Sequence, residues 1–156
     1  AWNNKGIALS NLGQHEEAIA AYEQALQLNP DDYQAWNNKG IALSNLGQHE
    51  EAIAAYEQAL QLNPDDYQAW NNKGIALSNL GQHEEAIAAY EQALQLNPDD
   101  YQAWNNKGIA LSNLGQHEEA LAAYEQALQL NPDDYKAWNN KGIALSNLEG
   151  AIGDYR

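Results

Sequence analysis

Two adjacent asparagines recur at a fixed interval along the chain, and this pattern could bind a peptide backbone. Each asparagine amide offers two N–H donors and an oxygen that accepts two hydrogen bonds. A peptide presents one C=O and one N–H per residue, so a row of amides can hold it without contacting its side chains. The pairs are Asn3-Asn4, Asn37-Asn38, Asn71-Asn72, Asn105-Asn106 and Asn139-Asn140.

Each copy also carries one histidine before two glutamates, as in His49-Glu50-Glu51. A metal ion needs two or more converging ligands, for example two histidines four residues apart on one helical face. A single histidine per copy supplies no such pair. The serines have no neighbouring base, and the sequence contains no glycine-rich phosphate loop. We therefore predict no enzymatic activity, no metal and no cofactor.

The composition limits the classes of partner. There are 22 acidic residues against 7 basic ones, and the net charge of −15 repels nucleic acid, whose binding depends on Lys and Arg contacts to phosphate. An anionic membrane is disfavoured for the same reason, and no apolar run approaches the ~18 residues of a membrane helix. The absence of cysteine excludes disulfides and thiol chemistry. We expect neutral or basic protein segments as partners, and we favour a cytoplasmic location.

The copies define the organisation of the chain. The unit reads AWNNKGIALSNLGQHEEAIAAYEQALQLNPDDYQ, and only Leu121 and Lys136 break identity among the four full copies. Near-identity of this kind is compatible with tandem duplication and with engineering, and we favour duplication. We predict a single array over residues 1–156, with repeats at 1–34, 35–68, 69–102 and 103–136 and a partial fifth repeat at 137–156.

The first predicted helix of each unit spans residues 32–46 in the second copy. Asp31 or Asp32 can cap its start, and Asp31 with Gln34 three residues later resembles a capping box. Gly47 is expected to end the helix in the left-handed conformation that glycine adopts without penalty. One face carries apolar or small residues at a spacing of three or four, namely Trp36, Gly40, Leu43 and Leu46.

The second predicted helix spans residues 49–62 and ends before Pro64, which cannot continue the hydrogen-bond ladder. Its apolar stripe is expected to be buried, and it consists of Ala52, Ile53, Tyr56, Ala59 and Leu60. Short connections make neighbouring helices antiparallel. One such pair is too small to enclose a core, so stacked copies must bury one another's faces. The predicted fold is an all-α solenoid of antiparallel helix pairs.

The unit resembles that of a known family. Tetratricopeptide repeats have the same period, with Trp, Gly, Ala, an aromatic residue, Ala and Pro at fixed positions, and this sequence is similar to them over residues 1–148. Lys5 and Leu9 depart from the usual Leu and Tyr. The resemblance implies a right-handed superhelix, without enzymatic activity, whose first helices line a concave peptide-binding groove. The matching residues of the first copy are Trp2, Gly6, Ala18, Tyr22, Ala25 and Pro30.

The resemblance also implies candidate binding residues. In a chaperone-binding subset of the family, Lys, Arg and Asn clamp a C-terminal carboxylate. Here Asn3, Gln34 and Ile7 occupy corresponding positions, so that activity is not implied. In another subset, which includes O-linked N-acetylglucosamine transferase, an asparagine ladder holds an extended peptide. The matching ladder positions are Asn4, Asn38, Asn72, Asn106 and Asn140. The other groove positions map onto Asn37, Asn71, Asn105, Ile41, Ile75, Ser44, Ser78, Asn45, Asn79 and Gln34.

This groove is expected to be polar and uncharged with an isoleucine stripe, because the glutamates lie on the second helices. Alternative roles are open for several residues. Asn4 and its copies could instead hydrogen-bond between successive first helices. Trp2 is expected to anchor the core rather than to stack on a ligand. Lys5 is expected to lie along the surface with its ammonium in water.

The ends of the array suggest a second function. We expect the ends to lack the polar terminal helix that repeat arrays need for solubility. The alternative to peptide binding is therefore end-to-end self-association of a structural module, or a model array without a native ligand. Residues 149–156 lack the turn GQH, and they either continue the preceding helix or fold back as a short one. We favour continuation, with one stripe formed by Leu145, Leu148, Ile152 and Tyr155.

Overall fold

The computed structural model describes residues 1–153. Within this range the chain forms nine α-helices joined by short turns. Each helix packs against the next one in the chain, and each odd-numbered helix also contacts the next odd-numbered helix. The fold is the all-α, right-handed solenoid that the sequence predicts. The helices are α1 (Trp2–Asn11), α2 (His15–Leu28), α3 (Tyr33–Asn45), α4 (His49–Leu62), α5 (Tyr67–Asn79), α6 (His83–Leu96), α7 (Tyr101–Asn113), α8 (His117–Leu130) and α9 (Tyr135–Gly153).

The predicted bounds of both helices in the second repeat agree closely with the structure. Asp32 precedes α3 as its N-cap, and its carboxylate accepts a hydrogen bond of 3.1 Å from the backbone N–H of Ala35. The predicted capping box between Asp31 and Gln34 was wrong. Because the cap is one residue later, the third helical residue is Ala35, whose methyl group cannot return a hydrogen bond.

Glycine ends the first helix of each full repeat, as predicted. Gly47 has a φ of +78°, and its N–H donates to the carbonyl of Ser44 at 3.0 Å, while that of Gln48 donates to Leu43 at 3.0 Å. These two bonds form a Schellman motif, which satisfies carbonyls at the end of a helix. The fifth copy lacks this turn, and α9 accordingly continues to Gly153. The prediction of a continuous helix is confirmed to that residue, and Tyr155 lies outside the described residues.

A tyrosine from each second helix closes the core against a glycine of the first. Tyr56 is 2% exposed, and a Cβ built on Gly40 would come within 2.5 Å of its Cε1 atom. One buried cluster joins three successive helices, α3, α4 and α5, through Leu43, Ala52, Ala55, Tyr56 and Ala76. The predicted stripe is correct except that Ile53 is half-buried. Burial therefore depends on contact between neighbouring repeats, as solenoid stability requires.

The tryptophan of each repeat is only partly a core residue. Trp36 is half-buried, its Nε1–H donates to the carbonyl of Pro30 at 3.0 Å, and Lys39 Nζ lies 5.5 Å from its ring centroid. The same ammonium is 3.1 Å from a carboxylate oxygen of Glu23 in the preceding repeat. The expectation that the tryptophan anchors the core is supported at Trp36, which packs against the buried cluster around Tyr56, whereas Trp2 is 39% exposed. At each of the four junctions between repeats, one lysine therefore pairs with one glutamate of the preceding repeat.

Candidate functional site

The odd-numbered helices line a row of hollows that repeats along the array, and we call this row the groove. One hollow has a volume of about 590 Å³ and lies along three successive odd-numbered helices, α3, α5 and α7. It is lined by Asn37, Asn38, Ile41, Tyr67, Gln68, Asn71, Asn72, Asn97, Asp99, Asp100, Tyr101 and Gln102. Equivalent hollows of about 570 and 680 Å³ begin at Asn3, Asn4 and Ile7 and at Asn71, Asn72 and Ile75.

Asparagines of successive repeats are hydrogen-bonded to each other along the groove. Asn72 Nδ2 donates to Asn37 Oδ1 at 3.4 Å, across the contact between α5 and α3. The other three junctions repeat it, with Asn38 donating to Asn3 at 3.1 Å, Asn106 to Asn71 at 3.3 Å and Asn140 to Asn105 at 3.2 Å. The alternative role given above, a bond between successive first helices, is therefore present in the fold.

These bonds leave part of each amide unused. Asn72 uses one of its N–H groups to donate to Asn37, and Asn37 uses one lone pair of its Oδ1 to accept this bond. An asparagine side chain has two N–H groups and two lone pairs, so Asn72 keeps its oxygen and Asn37 keeps both N–H groups. Within residues 1–153 neither side chain makes a further bond outside the ladder, and both are half-buried. The same side chains can therefore hold the repeats together and bind a ligand's donors and acceptors.

Aspartates also line the groove, and the prediction of an uncharged groove was wrong. Asp99 and Asp100 border the hollow described above. They precede α7, and Asp100 caps that helix by accepting from the N–H groups of Gln102 at 3.0 Å and Ala103 at 3.2 Å. The following hollow also contains Lys136, the residue that replaces the repeated glutamine.

Tyrosines that were not singled out from the sequence line the same hollows. Tyr67 and Tyr101 are both half-buried and contribute to one hollow. Each stands at the first residue of its helix, four residues before the first asparagine of its pair, as in Tyr67 and Asn71. Residues four apart share one face of a helix. That spacing in the sequence could have identified these tyrosines as residues of the groove.

Four predicted groove residues are not brought together with the others. Ser44 Oγ lies 3.4 Å from Nδ1 of His49, on the second helix of its own repeat. Its counterpart Ser112 lies 3.3 Å from the hydroxyl of Tyr124. These serines therefore face the second helices, and Ser78 takes the same position. Asn45 and Asn79 are exposed at the last residues of their helices and do not line the three hollows.

The buried tyrosines are structural groups rather than acids or bases. Burial raises the pKa of Tyr90 to about 12, although a hydrogen bond from Ser78 opposes this shift. The pKa values of Tyr56 and Tyr124 are raised for the same reason. These hydroxyls stay protonated at neutral pH. Among residues 1–153 no three metal-ligating side chains converge, and no helix there is long and apolar enough to cross a bilayer.

Matches to protein-family models cover almost the whole chain. Tetratricopeptide repeat models match residues 3–67 and 39–101, residues 101–134 and residues 123–155. The chain belongs to the tetratricopeptide repeat family. The glycine, alanine and tyrosine positions of its signature are those that form the core in this structure. No curated protein sequence matches this tetratricopeptide repeat chain.

Several solved structures have the same fold as these tetratricopeptide repeats. MamA residues 41 to the end from Desulfovibrio magneticus RS-1 gives a TM-score of 0.82 at 23% identity, covering 97% of this chain and 92% of that one. YrrB, described as a TPR protein with an unusual peptide-binding site, gives 0.81 at 26% identity, covering 95% and 76%. The first TPR of Spaghetti (RPAP3), bound to the HSP90 peptide SRMEEVD, gives 0.74 at 26% identity, covering 75% and 93%.

Proposed function

We propose that this protein is a non-enzymatic interaction scaffold whose groove binds an extended peptide segment of a partner. The observation that carries this proposal is the row of hydrogen-bonded asparagines, which retain unused donors and acceptors inside hollows that each lie along three successive first helices. YrrB is described as having a peptide-binding site, and the RPAP3 domain holds a peptide. Both relatives support a peptide as the ligand of this groove.

The asparagines would bind the backbone of the segment. The free N–H groups of Asn37 donate to a peptide carbonyl, and the free oxygen of Asn72 accepts from a peptide N–H. An extended segment leaves these groups unpaired, unlike a helix, which uses them internally. Ile41 on α3 and Ile109 on α7 are 36% and 37% exposed and supply apolar contact. Recognition of this kind reads the backbone and has little dependence on ligand sequence.

Charge would provide the selectivity of the groove for one peptide over another. Each of the first two hollows contains two aspartates, Asp65 with Asp66 and Asp99 with Asp100, and no basic side chain. They favour a segment carrying Lys or Arg and disfavour an acidic one, by an amount that salt reduces. The third hollow contains Asp133, Asp134 and Lys136. We therefore propose that basic residues of the ligand occupy the first two hollows.

Isothermal titration with two soluble extended peptides of equal length, one basic and one acidic, tests the proposal. A variant with Asn→Ala at positions 38, 72 and 106 should bind the basic peptide at least ~10-fold more weakly, because three hydrogen bonds of ~0.5–1.5 kcal/mol are lost. The matched control is Asn→Ala at 45, 79 and 113, which should bind like the parent. Equal affinity of the two variants would remove the ladder from the mechanism. Circular dichroism must show both variants to be folded.

End-to-end self-association stays a prediction as the second candidate function. The observation in its favour is the exposure of leucines in the first repeat, where Leu12 and Leu28 are 74% and 76% exposed. In the interior repeats the counterparts of Leu28, Leu62 and Leu96, are each 40% exposed. Light scattering against concentration separates the two functions. Growth in mass without a limit would favour stacking, whereas a constant monomer mass would favour the peptide scaffold.

A further inference from the structure

The asparagine ladder repeats at a fixed distance, and this distance limits the conformation of a segment bound along it. We call each hydrogen-bonded pair of asparagines a rung, as formed by Asn38 with Asn3 and by Asn72 with Asn37. Successive first helices contact each other directly, as α3 and α5 do. Because packed helices have axes about 8–10 Å apart, equivalent rungs are expected to recur about 8–10 Å apart along the groove.

A polyproline II helix matches both the distance between rungs and the direction in which they point. It has three residues per turn and rises about 3.1 Å per residue, so the same face of its backbone returns every ~9 Å. A β-strand alternates its faces from one residue to the next, and it covers only about 7 Å in two residues and already about 13 Å in four. After three residues a strand reaches the next rung with its opposite face. Backbone recognition at successive rungs therefore favours the polyproline II conformation.

The backbone of a polyproline II helix also leaves its polar groups free for the asparagines. This helix has no internal hydrogen bonds, so its carbonyls can accept from the unused N–H groups of Asn37. Proline has no N–H. At least one residue in three must therefore be of another type, so that its N–H can donate to the unused oxygen of Asn72.

Half-buried tyrosines give the groove the aromatic lining that proline-rich segments bind. Tyr67 and Tyr101 line one hollow, and Tyr33 and Tyr67 line the hollow before it. Proline-rich segments in the polyproline II conformation dock in grooves lined by aromatic side chains. One tyrosine per repeat is thus available to contact the proline rings between successive rungs.

We infer that the groove binds a proline-rich peptide in the polyproline II conformation, with a basic residue at every third position. This inference rests on the proposed function and names the class of its ligand. Each of the first two hollows contains a pair of aspartates, and the two hollows lie one repeat apart. Basic residues three positions apart would therefore meet successive hollows. The aspartates are Asp65, Asp66, Asp99 and Asp100.

The test is isothermal titration of the full chain with two peptides, Lys-Pro-Pro and Lys-Gly-Gly, each repeated four times. Both have the same lysines at the same spacing. The proline peptide should bind at least ~10-fold more tightly, because it already has the bound conformation, whereas the glycine peptide loses more backbone freedom on binding. Equal or tighter binding of the glycine peptide would overturn the inference and leave the proposed function standing. Absence of binding by both peptides would overturn both.

A permuted peptide tests the period of three. Lys-Lys-Pro-Pro-Pro-Pro, repeated twice, has the composition of the proline peptide, but no two of its lysines are three residues apart. It should bind about 3-fold more weakly, because its lysines cannot meet the aspartates of both hollows together. Equal affinity of the two proline peptides would show that the groove does not recognise this period, and would overturn that part of the inference.

Variants of the tyrosines test the aromatic contact. Tyr→Leu at positions 33, 67 and 101 should bind the Lys-Pro-Pro peptide at least ~10-fold more weakly, because the rings that contact proline are gone. It should bind the Lys-Gly-Gly peptide like the parent. Tyr→Phe at the same positions keeps the rings and should bind both peptides like the parent. Equal losses for the two peptides in the leucine variant, with circular dichroism showing a folded chain, would overturn proline recognition by the tyrosines.

Discussion

The ring of Tyr90 lies on the backbone of Gly74, so close that a Cβ at position 74 would come within 2.5 Å of the tyrosine Cε1 atom. The contact joins the two helices of the third repeat, and the same contact recurs between Gly40 and Tyr56 and between Gly108 and Tyr124. Glycine is present in mid-helix despite its low helix propensity because only a residue without Cβ leaves room for the ring.

Gly74→Ala should therefore destabilise the protein. In an open helix this change would raise stability by up to ~1 kcal/mol, but here the new methyl group collides with a ring that is 2% exposed. We expect the free energy of unfolding in urea to fall by about 1–3 kcal/mol, the usual cost of overpacking. Gly142→Ala is the control and should leave the urea midpoint unchanged or raise it. A higher midpoint for Gly74→Ala would contradict the assigned packing.

The bond between Asn106 and Asn71 should contribute measurably to the coupling of repeats. Replacing either residue with alanine should lower the free energy of unfolding by about 0.5–1.5 kcal/mol, because its half-buried partner loses a hydrogen bond. The double variant should cost less than the sum of the two single changes. Asn4→Ala serves as the control, since Asn4 is in none of the ladder hydrogen bonds among residues 1–153. Full additivity of the two changes would show that the amides do not interact.

Stability should fall at high pH through the buried tyrosines. The ordinary pKa is 10.0, and burial raises that of Tyr90 to about 12, so between these values the unfolded chain loses a proton that the folded chain keeps. Stability therefore falls as pH rises. The contribution is fully present below pH 10 and is lost as pH approaches 12. Urea midpoints measured across this pH range check this, and Tyr90→Phe, which keeps the ring, should show a shallower decline.

Lys73 should contribute modestly and in a salt-dependent way to the junction between the second and third repeats. Its Nζ lies 3.2 Å from an oxygen of Glu57 and 5.4 Å from the ring centroid of Trp70. Because the glutamate is half exposed, Lys73→Gln should lower the unfolding free energy by only about 0.2–1 kcal/mol, and less in about 1 M NaCl. Lys5→Gln is the matched control, since Lys5 Nζ lies 5.0 Å from the ring centroid of Trp2 and forms no salt bridge among residues 1–153. Equal losses in both variants would assign the effect to the tryptophan contact alone.

The sequence by itself determined the helices and their period. The bounds of α4, the cap at Asp32 and the turn at Gly47 depend on residues within four positions of each other along the chain. Their residue types therefore fix the local conformation without reference to the rest of the molecule. The continuation of the first helix of the fifth copy to Gly153, which forms α9, was predicted in the same way, because the residues that reverse the chain are absent from that copy.

Only the tertiary structure decided which residues of different repeats meet. Asn72 contacts Asn37, Asp99 lines a hollow that begins at Asn37 in the preceding repeat, and Ser44 lies against His49. None of these contacts follows from spacing along one helix, because each depends on the angle and translation between successive helices. The half-burial of Trp36 and the open space around Gly142 have the same origin. The same residue of the repeat therefore differs in exposure from copy to copy, since its burial depends on the helices that pack next to it and not on its residue type.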